Sequence, residues 1–283
     1  MKIKTLSNIN EKVILETFNL SFSDYFVPLQ LTEEQFLSKL KVDKIDLNLS
    51  VGVFENNKLI AFMLHGVDNV NESKVIYNGG TGVLPKNRGQ NLTSKMYQFI
   101  LPLLKQQHVD YLQLEVILQN TPAITSYKKS GFEITRELLC YRGALKKLDS
   151  NPSIEVKLLT NYNWKLLESF WDISPSWQNS KKVTGEQKDI NISLGAYLED
   201  KLIGYAIYDP MNKRLQQIAV DKEYRRQKIA TTLVNFLTEN KGNKLSVINV
   251  DKRSEASNSF LSKIGLKNYI NQVEMKFELI GSR

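Results

Sequence analysis

The chain has 283 residues, 42% of them hydrophobic, which is enough for two domains of ordinary size, each with its own core. Lys and Arg outnumber Asp and Glu by 38 to 30, a formal charge of +8, but the basic residues are scattered; nucleotide or phosphate partners fit this balance, and nucleic acid is not expected. No stretch approaches the roughly 18 consecutive apolar residues of a membrane span, and Met1, Lys2, Ile3 and Lys4 lead into polar sequence. These features predict a soluble, cytoplasmic protein with no membrane contact. Cys140 is the only cysteine, and His65 and His108 are the only histidines, so an internal disulfide is excluded and a Cys/His metal site is not expected.

Taken in chain order, the first half reads as helices over 11–19 and 33–41, then strands over 49–54, 59–66 and 74–84. A helix follows from Asn91 to Gln107, with Leu92, Met96, Phe99, Ile100 and Leu103 as its apolar stripe and a kink expected at Pro102. A strand over 111–117 comes next. A helix from Pro122 to Ser130 then has proline at its start and Gly131 just past its end. The fold class is α/β with a mixed sheet.

The second half repeats this order. Ser50, Gly52, Lys58, Leu59, Ile60, Ala61 and Phe62 recur as Ser193, Gly195, Lys201, Leu202, Ile203, Gly204 and Tyr205, a constant offset of 143 residues. Val83, Arg88 and Leu92 match Val220, Arg225 and Ile229 at an offset of 137, and the remainder aligns at 134. Matched blocks in one order, with slowly shrinking offsets, indicate duplicated domains rather than a short-period solenoid. The polar, turn-rich segment from Lys146 to Ser153 places the domains at 1–147 and 153–283.

Two elements of the first half carry chemistry. A strand ending at Val83 passes through Pro85 into Arg88, Gly89, Gln90, Asn91, Leu92 and Thr93, where a helix begins. Backbone N–H groups and a helix dipole converge there, as a pyrophosphate requires. Downstream, Leu114-Glu115-Val116 precedes Asn120, Ala123, Tyr127, Gly131 and Phe132, with Ala123 and Tyr127 on one helix face. Together, Val-x-Pro-x-x-Arg-Gly, Leu-Glu-Val and Asn-x-x-Ala-x-x-x-Tyr-x-x-x-Gly-Phe resemble the GNAT N-acetyltransferase superfamily, over most of residues 50–140 and more faintly over 193–278.

The resemblance implies two tandem GNAT-like domains, each a mixed, mostly antiparallel sheet flanked by helices. It implies acetyl-CoA as cofactor, with the pantetheine arm along the strand backbone at Gly82 and Val83 and the pyrophosphate on residues 88–93. The family pattern has glycine where Asn91 stands and glycine or alanine where Thr93 stands, and asparagine tolerates left-handed backbone conformations. It further implies Glu115 as the base that takes a proton from an amine and Tyr127 as the acid that protonates the departing thiolate, with Asn120 and Tyr127 also contacting the cofactor. A water chain ending on Tyr77 or Asn78 is the alternative base. The acceptor the resemblance implies is an amine on a small molecule or peptide, which the sequence does not identify. Cys140 lies in an apolar run with no neighbouring histidine and reads as a buried structural thiol.

In the second half, Asn249 stands where Glu115 does, Ser254 for Asn120, Ser257 for Ala123 and Leu261 for Tyr127, so base and acid are absent. The phosphate turn persists as Arg225, Arg226, Gln227, Lys228, Ile229 and Ala230 after Val220, without glycine. These residues form a second candidate CoA site or a solvated basic helix start. Trp164, Trp171 and Trp177 read as packing residues, and Ser176 to Ser180 as a possible acceptor lining. Two further readings are a non-catalytic CoA-binding regulator and an aminoacyl-tRNA-dependent transferase; the tRNA-binding charged insertion the latter needs is not in the sequence. A monomer with tandem domains would resemble a dimer of single ones.

Overall fold

The computed structural model describes residues 1–27, 29–70 and 72–279. It divides into two compact units, Met1–Thr135 with Val273–Arg283, and Arg136–Gln272. In chain order the first contains β1 (Lys2–Thr5), α1 (Glu11–Ser21), α2 (Glu33–Val42), β2 (Val51–Glu55), β3 (Lys58–Val70), β4 (Ser73–Val83), α3 (Leu92–Gln106), β5 (Tyr111–Ile117) and α4 (Thr121–Lys129). Then come β6 (Glu133–Ala144), β7 (Glu155–Leu158), α5 (Trp164–Ser169), α6 (Lys181–Glu186), β8 (Ile192–Leu198), β9 (Lys201–Asp209), β10 (Arg214–Val220), α7 (Ile229–Lys241), β11 (Lys244–Asp251), α8 (Glu255–Lys263) and β12 (Lys267–Glu278).

The first unit's strands run in the order β1-β2-β3-β4-β5-β12, and the second's in the order β6-β11-β10-β9-β8-β7. In the first unit β1, β2, β3 and β4 pair antiparallel in turn and β4 pairs with β5 in parallel; in the second β7, β8, β9 and β10 pair antiparallel in turn, β10 pairs with β11 in parallel and β11 with β6 antiparallel. The alternation of strands and helices read from the sequence is therefore the architecture. Packing divides the chain at Thr135 and Gln272, whereas the repeat divides it near residue 150. Residues 136–144 of β6 complete the second unit and residues 273–278 of β12 the first. A repeat is defined by matched side chains, and these do not encode which sheet a terminal strand joins.

Helix starts follow local rules. Asn10 caps α1 by accepting from Lys12 N, and Thr32 with Gln35 forms a reciprocal capping box on α2. In α3 the buried positions include Leu92, Met96, Tyr97, Ile100 and Leu104, and the helix runs on through Pro102. Phe99, assigned to the apolar stripe from sequence, is 42% exposed instead, because the Met96-Ile100-Leu104 ridge at i, i+4 spacing faces the sheet. The first unit's sheet is buried on both faces. Met63, Ile76, Leu112, Leu114 and Val116 pack with Tyr97 of α3 and Tyr127 of α4. Phe62 and Leu64 pack with Ile14 and Phe18 of α1 and Phe36 of α2. Among the described residues no helix is long and apolar enough to cross a membrane.

Candidate active site

A notch opens in the first unit where the parallel strands part. β4 and β5 are paired from Val75↔Tyr111 to Asn78↔Leu114 and no further. Beyond Asn78, β4 stays on β3, with Leu64↔Gly80, Phe62↔Gly82 and Ala61↔Val83, after a register shift that leaves Gly79 as the extra residue. Such a bulge bends and twists its strand. A Cβ on Gly79 would meet Ile45 Cδ1 at 2.9 Å, so glycine lets the strand turn there. Past the divergence, the backbone groups of β4 that face β5 have no strand partner, the arrangement that can bond an extended amide-bearing arm.

Downstream of the notch, Pro85–Asn87 forms a short 3-10 turn, Gly89 lies at φ +79° and Asn91 at φ +60° as the N-cap of α3. The left-handed conformation that asparagine was expected to tolerate is the one it adopts. No side chain caps α3, so its first N–H groups are left to an external partner. A Cβ at Gly89 would meet nothing within 4 Å, leaving the cradle open to a ligand. The Arg88 guanidinium is otherwise engaged. It forms two 2.7 Å bonds to Asp24 and donates to Ser21 O at 3.0 Å and Val83 O at 3.4 Å. Arg88 therefore ties the turn to the end of α1, and only its backbone faces an anion site.

The side chains around the notch fall on two faces. Leu114 and Val116 belong to the core beneath α3 and α4, so period-2 alternation puts Glu115 on the opposite face. There its Oε2 accepts from Tyr77 OH at 3.0 Å. Tyr127 projects from α4 on the other side, buried against Tyr97 and Phe132. Burial pushes its hydroxyl up to about 12, opposed by a hydrogen bond with Thr81. Asn120 caps α4 through Ala123 N at 3.2 Å and hydrogen-bonds Tyr25, whose hydroxyl is also raised by burial. Asn78 Nδ2 bonds both Thr81 Oγ1 and Tyr97 OH at 2.8 Å. Polar bridges thus cross from β4 and the segment after α1 to α4. Sequence reading missed Asp24, Tyr25 and Thr81; the run Phe22, Tyr25, Phe26, whose rings meet at 5.0 and 5.5 Å, was the available signal.

The second unit repeats the frame with different chemistry. β10 and β11 pair only at Arg214↔Ser246, and the shift at Leu215/Gln217 marks a bulge at the counterpart of Gly79. Arg225 bonds Asp172 Oδ2 at 2.8 Å, Phe170 O at 3.0 Å and Val220 O at 3.3 Å, as Arg88 does in the first unit. Arg226 at φ +66° and Lys228 at φ +62° hold the left-handed positions of Gly89 and Asn91. Non-glycine residues there are strained by about 1 kcal/mol or more each, yet the turn keeps its shape. A cavity of about 400 Å³ lies along it, lined by Val220, Arg225, Arg226, Lys228, Ile229 and Ala230 and by parts of β10, β11 and α8. Of the turn residues named from sequence, only Gln227 is outside this lining; its carbonyl accepts from Asn151 Nδ2 at 3.0 Å.

A mixed sheet whose parallel pair splays beside the start of a helix that no side chain caps defines the class as α/β with a notch at the sheet's parallel pair. The Acetyltransferase (GNAT) family matches residues 14–132 and 157–266, and the chain belongs to that family. It is similar to a GCN5-related N-acetyltransferase from Sphaerobacter thermophilus, with 13% identity, a TM-score of 0.75, and coverage of 100% of this chain and 96% of that one. It is also similar to a tandem GNAT protein from the clavulanic acid biosynthesis pathway (11% identity, TM-score 0.69, 100% and 99% covered). A third likeness is to a GCN5-related N-acetyltransferase from Kribbella flavida (13% identity, TM-score 0.64, 98% and 72% covered). No curated protein sequence matches.

Proposed function

We propose that the repeat in residues 1–147 transfers an acetyl group from acetyl-CoA to an amine, with Glu115 as base and Tyr127 as acid. The observation that carries this reading is that Glu115 follows directly on the last pair β5 shares with β4, while Tyr127 of α4 hydrogen-bonds Thr81 of β4 beyond that pair. The amine adds to the thioester carbon, and the tetrahedral intermediate must lose a proton from nitrogen and expel the thiolate, which takes up a proton on sulfur; a carboxylate and a phenol beside the notch suit the first and second of these proton transfers. Bound acetyl-CoA supplies the acetyl thioester. The β4 backbone at Gly82 and Val83 would hold its arm, and the backbone of residues 88–93 its pyrophosphate.

An α-amine or lysine is largely protonated at neutral pH, and a carboxylate held by Tyr77 is a suitable receiver for that proton. Tyr127 keeps its own proton up to about pH 12, which suits it to donate to a thiolate and unsuits it as a base. Tyr25 and Thr81, bonded to Asn120 and Tyr127, orient the acid end. The test is acetyl-CoA consumption against a panel of peptide and small-molecule amines. Wild type is expected to consume it with at least one class, and Glu115→Gln to lower kcat/KM about 10²-fold or more. Equal rates in both would remove Glu115 from the reaction.

The cavity along the second turn supports a further reading for residues 153–283: a CoA site without turnover, since Asn249 and Leu261 can act as neither base nor acid.

A further inference from the structure

The two repeats share one frame and differ at four positions around the notch. In each, an arginine of the turn is tied to the segment after a helix: Arg88 to Asp24, after α1, at 2.7 Å, and Arg225 to Asp172, after α5, at 2.8 Å. The residues that follow these aspartates are Tyr25 and Ile173. The bulges at Gly79 and Gln216 share the offset of 137, which sets Thr81 against Ile218. The offset of 134 sets Asn120 against Ser254 and Tyr127 against Leu261.

In the first unit these four residues are paired. Tyr25 hydrogen-bonds Asn120, the N-cap of α4, and Thr81 of β4 hydrogen-bonds Tyr127 of α4. Both bonds run from the β4 side of the notch to the helix that follows β5. They are braced from behind: Asn78 Nδ2 holds Thr81 Oγ1 at 2.8 Å, and the buried Tyr127 ring sits against Tyr97. In the second unit the side chains of Ile173, Ile218 and Leu261 have no hydrogen-bonding atoms, and Ser254 Oγ bonds Ser257 Oγ at 2.9 Å. All four line the cavity of about 400 Å³. The same frame is bridged in one copy and holds a cavity in the other.

We propose that the Tyr25–Asn120 and Thr81–Tyr127 hydrogen bonds form a latch across the first notch, which must open to admit CoA and which holds its affinity down. This rests on the reading of the notch as a CoA site and on no step of the chemistry. Thr81 adjoins Gly82 and Val83, where the CoA arm is placed above, so a bond from Thr81 to α4 crosses the arm's course. Opening also releases the Tyr127 hydroxyl from Thr81, so the acid becomes free when the cofactor's path clears. A ligand that binds only the open form has its apparent dissociation constant raised by the reciprocal of the open fraction. Loss of one latch bond raises that fraction about three- to tenfold.

The test is hydrogen exchange of the full-length chain, titrated with CoA at a fixed labelling time and followed in peptides covering β4 and α4. These peptides report on the first notch whatever binds at the second. Tyr25→Phe removes one latch hydroxyl and Thr81→Val the other, valine keeping the branched shape that suits a strand. The latch predicts half-protection at about three- to tenfold lower CoA in each variant, and lower still when the two are combined. Bonds that only hold the fold or aim the acid predict weaker binding or no change. Half-protection at an equal or higher CoA concentration in either variant therefore overturns the proposal, as does the absence of protection in every form. Acetyl transfer is not measured, so a Glu115→Gln variant with wild-type rates would remove the proposed chemistry and leave the latch standing.

Discussion

Lowering the pH should destabilise the first unit through His65. The ring is fully buried, with Nδ1 2.8 Å from Leu49 O, so Nδ1 carries the proton and Nε2 has no hydrogen-bond partner. Burial brings its pKa from 6.5 down to about 4. The unfolded chain therefore binds a proton below pH 6.5 that the folded chain refuses until about pH 4. The stability involved is present in full above 6.5 and is lost as the pH falls between those values. A difference of 2.5 units corresponds to about 3 kcal/mol, of which about 2 kcal/mol is gone by pH 5. Against a typical total of about 5–15 kcal/mol this is a large fraction. All three tryptophans lie in the second unit, so their fluorescence does not report on this event. Hydrogen exchange of peptides covering β3, followed through urea unfolding at pH 7, 6 and 5, does. His65→Asn keeps a donor near the Nδ1 position and does not titrate, and should lose about 2 kcal/mol less than wild type between pH 7 and 5. Parallel losses in the two proteins would refute the assignment.

Two further outcomes follow from the first unit's turn and acid. Gly89→Ala meets no steric obstacle but must adopt φ +79°; it should cost about 1 kcal/mol of stability and raise the KM for acetyl-CoA several-fold, and an unchanged KM would move the pyrophosphate away from this turn. Because burial holds Tyr127 up to about 12, kcat should not decline between pH 8 and 10, whereas a decline that vanishes in Tyr127→Phe would show that its proton is lost earlier than its surroundings imply.

Much of this fold is legible in the sequence because strands and helices are marked by local periodicity, and the phosphate turn by a strand end, an Arg-Gly pair and a helix start. Asn91 could be read as left-handed for the same local reason. What resists reading depends on contacts distant in the chain. Nothing local in the sequence pairs the Arg88 side chain with Asp24, 64 residues away. The splay of β4 from β5 comes from a bulge at Gly79, which alternation alone conceals. The exchange of terminal strands between units leaves no trace in the repeat, since each copy aligns with the other whichever sheet it joins. In the second turn the sequence left a CoA site and a solvated basic helix start both open; Arg226 and Lys228 adopt the left-handed backbone without glycine, and a cavity lies along the turn.

The most direct test of acetyl transfer at the first notch is a single-turnover measurement on wild type and Tyr127→Phe with the best amine, alongside the dissociation constant of acetyl-CoA. An acid that acts only on the departing thiolate predicts a transfer rate lowered about 10²-fold or more with acetyl-CoA affinity within about threefold of wild type. A transfer rate that is unchanged would contradict the role given to Tyr127 and with it the assignment of the chemistry to this notch.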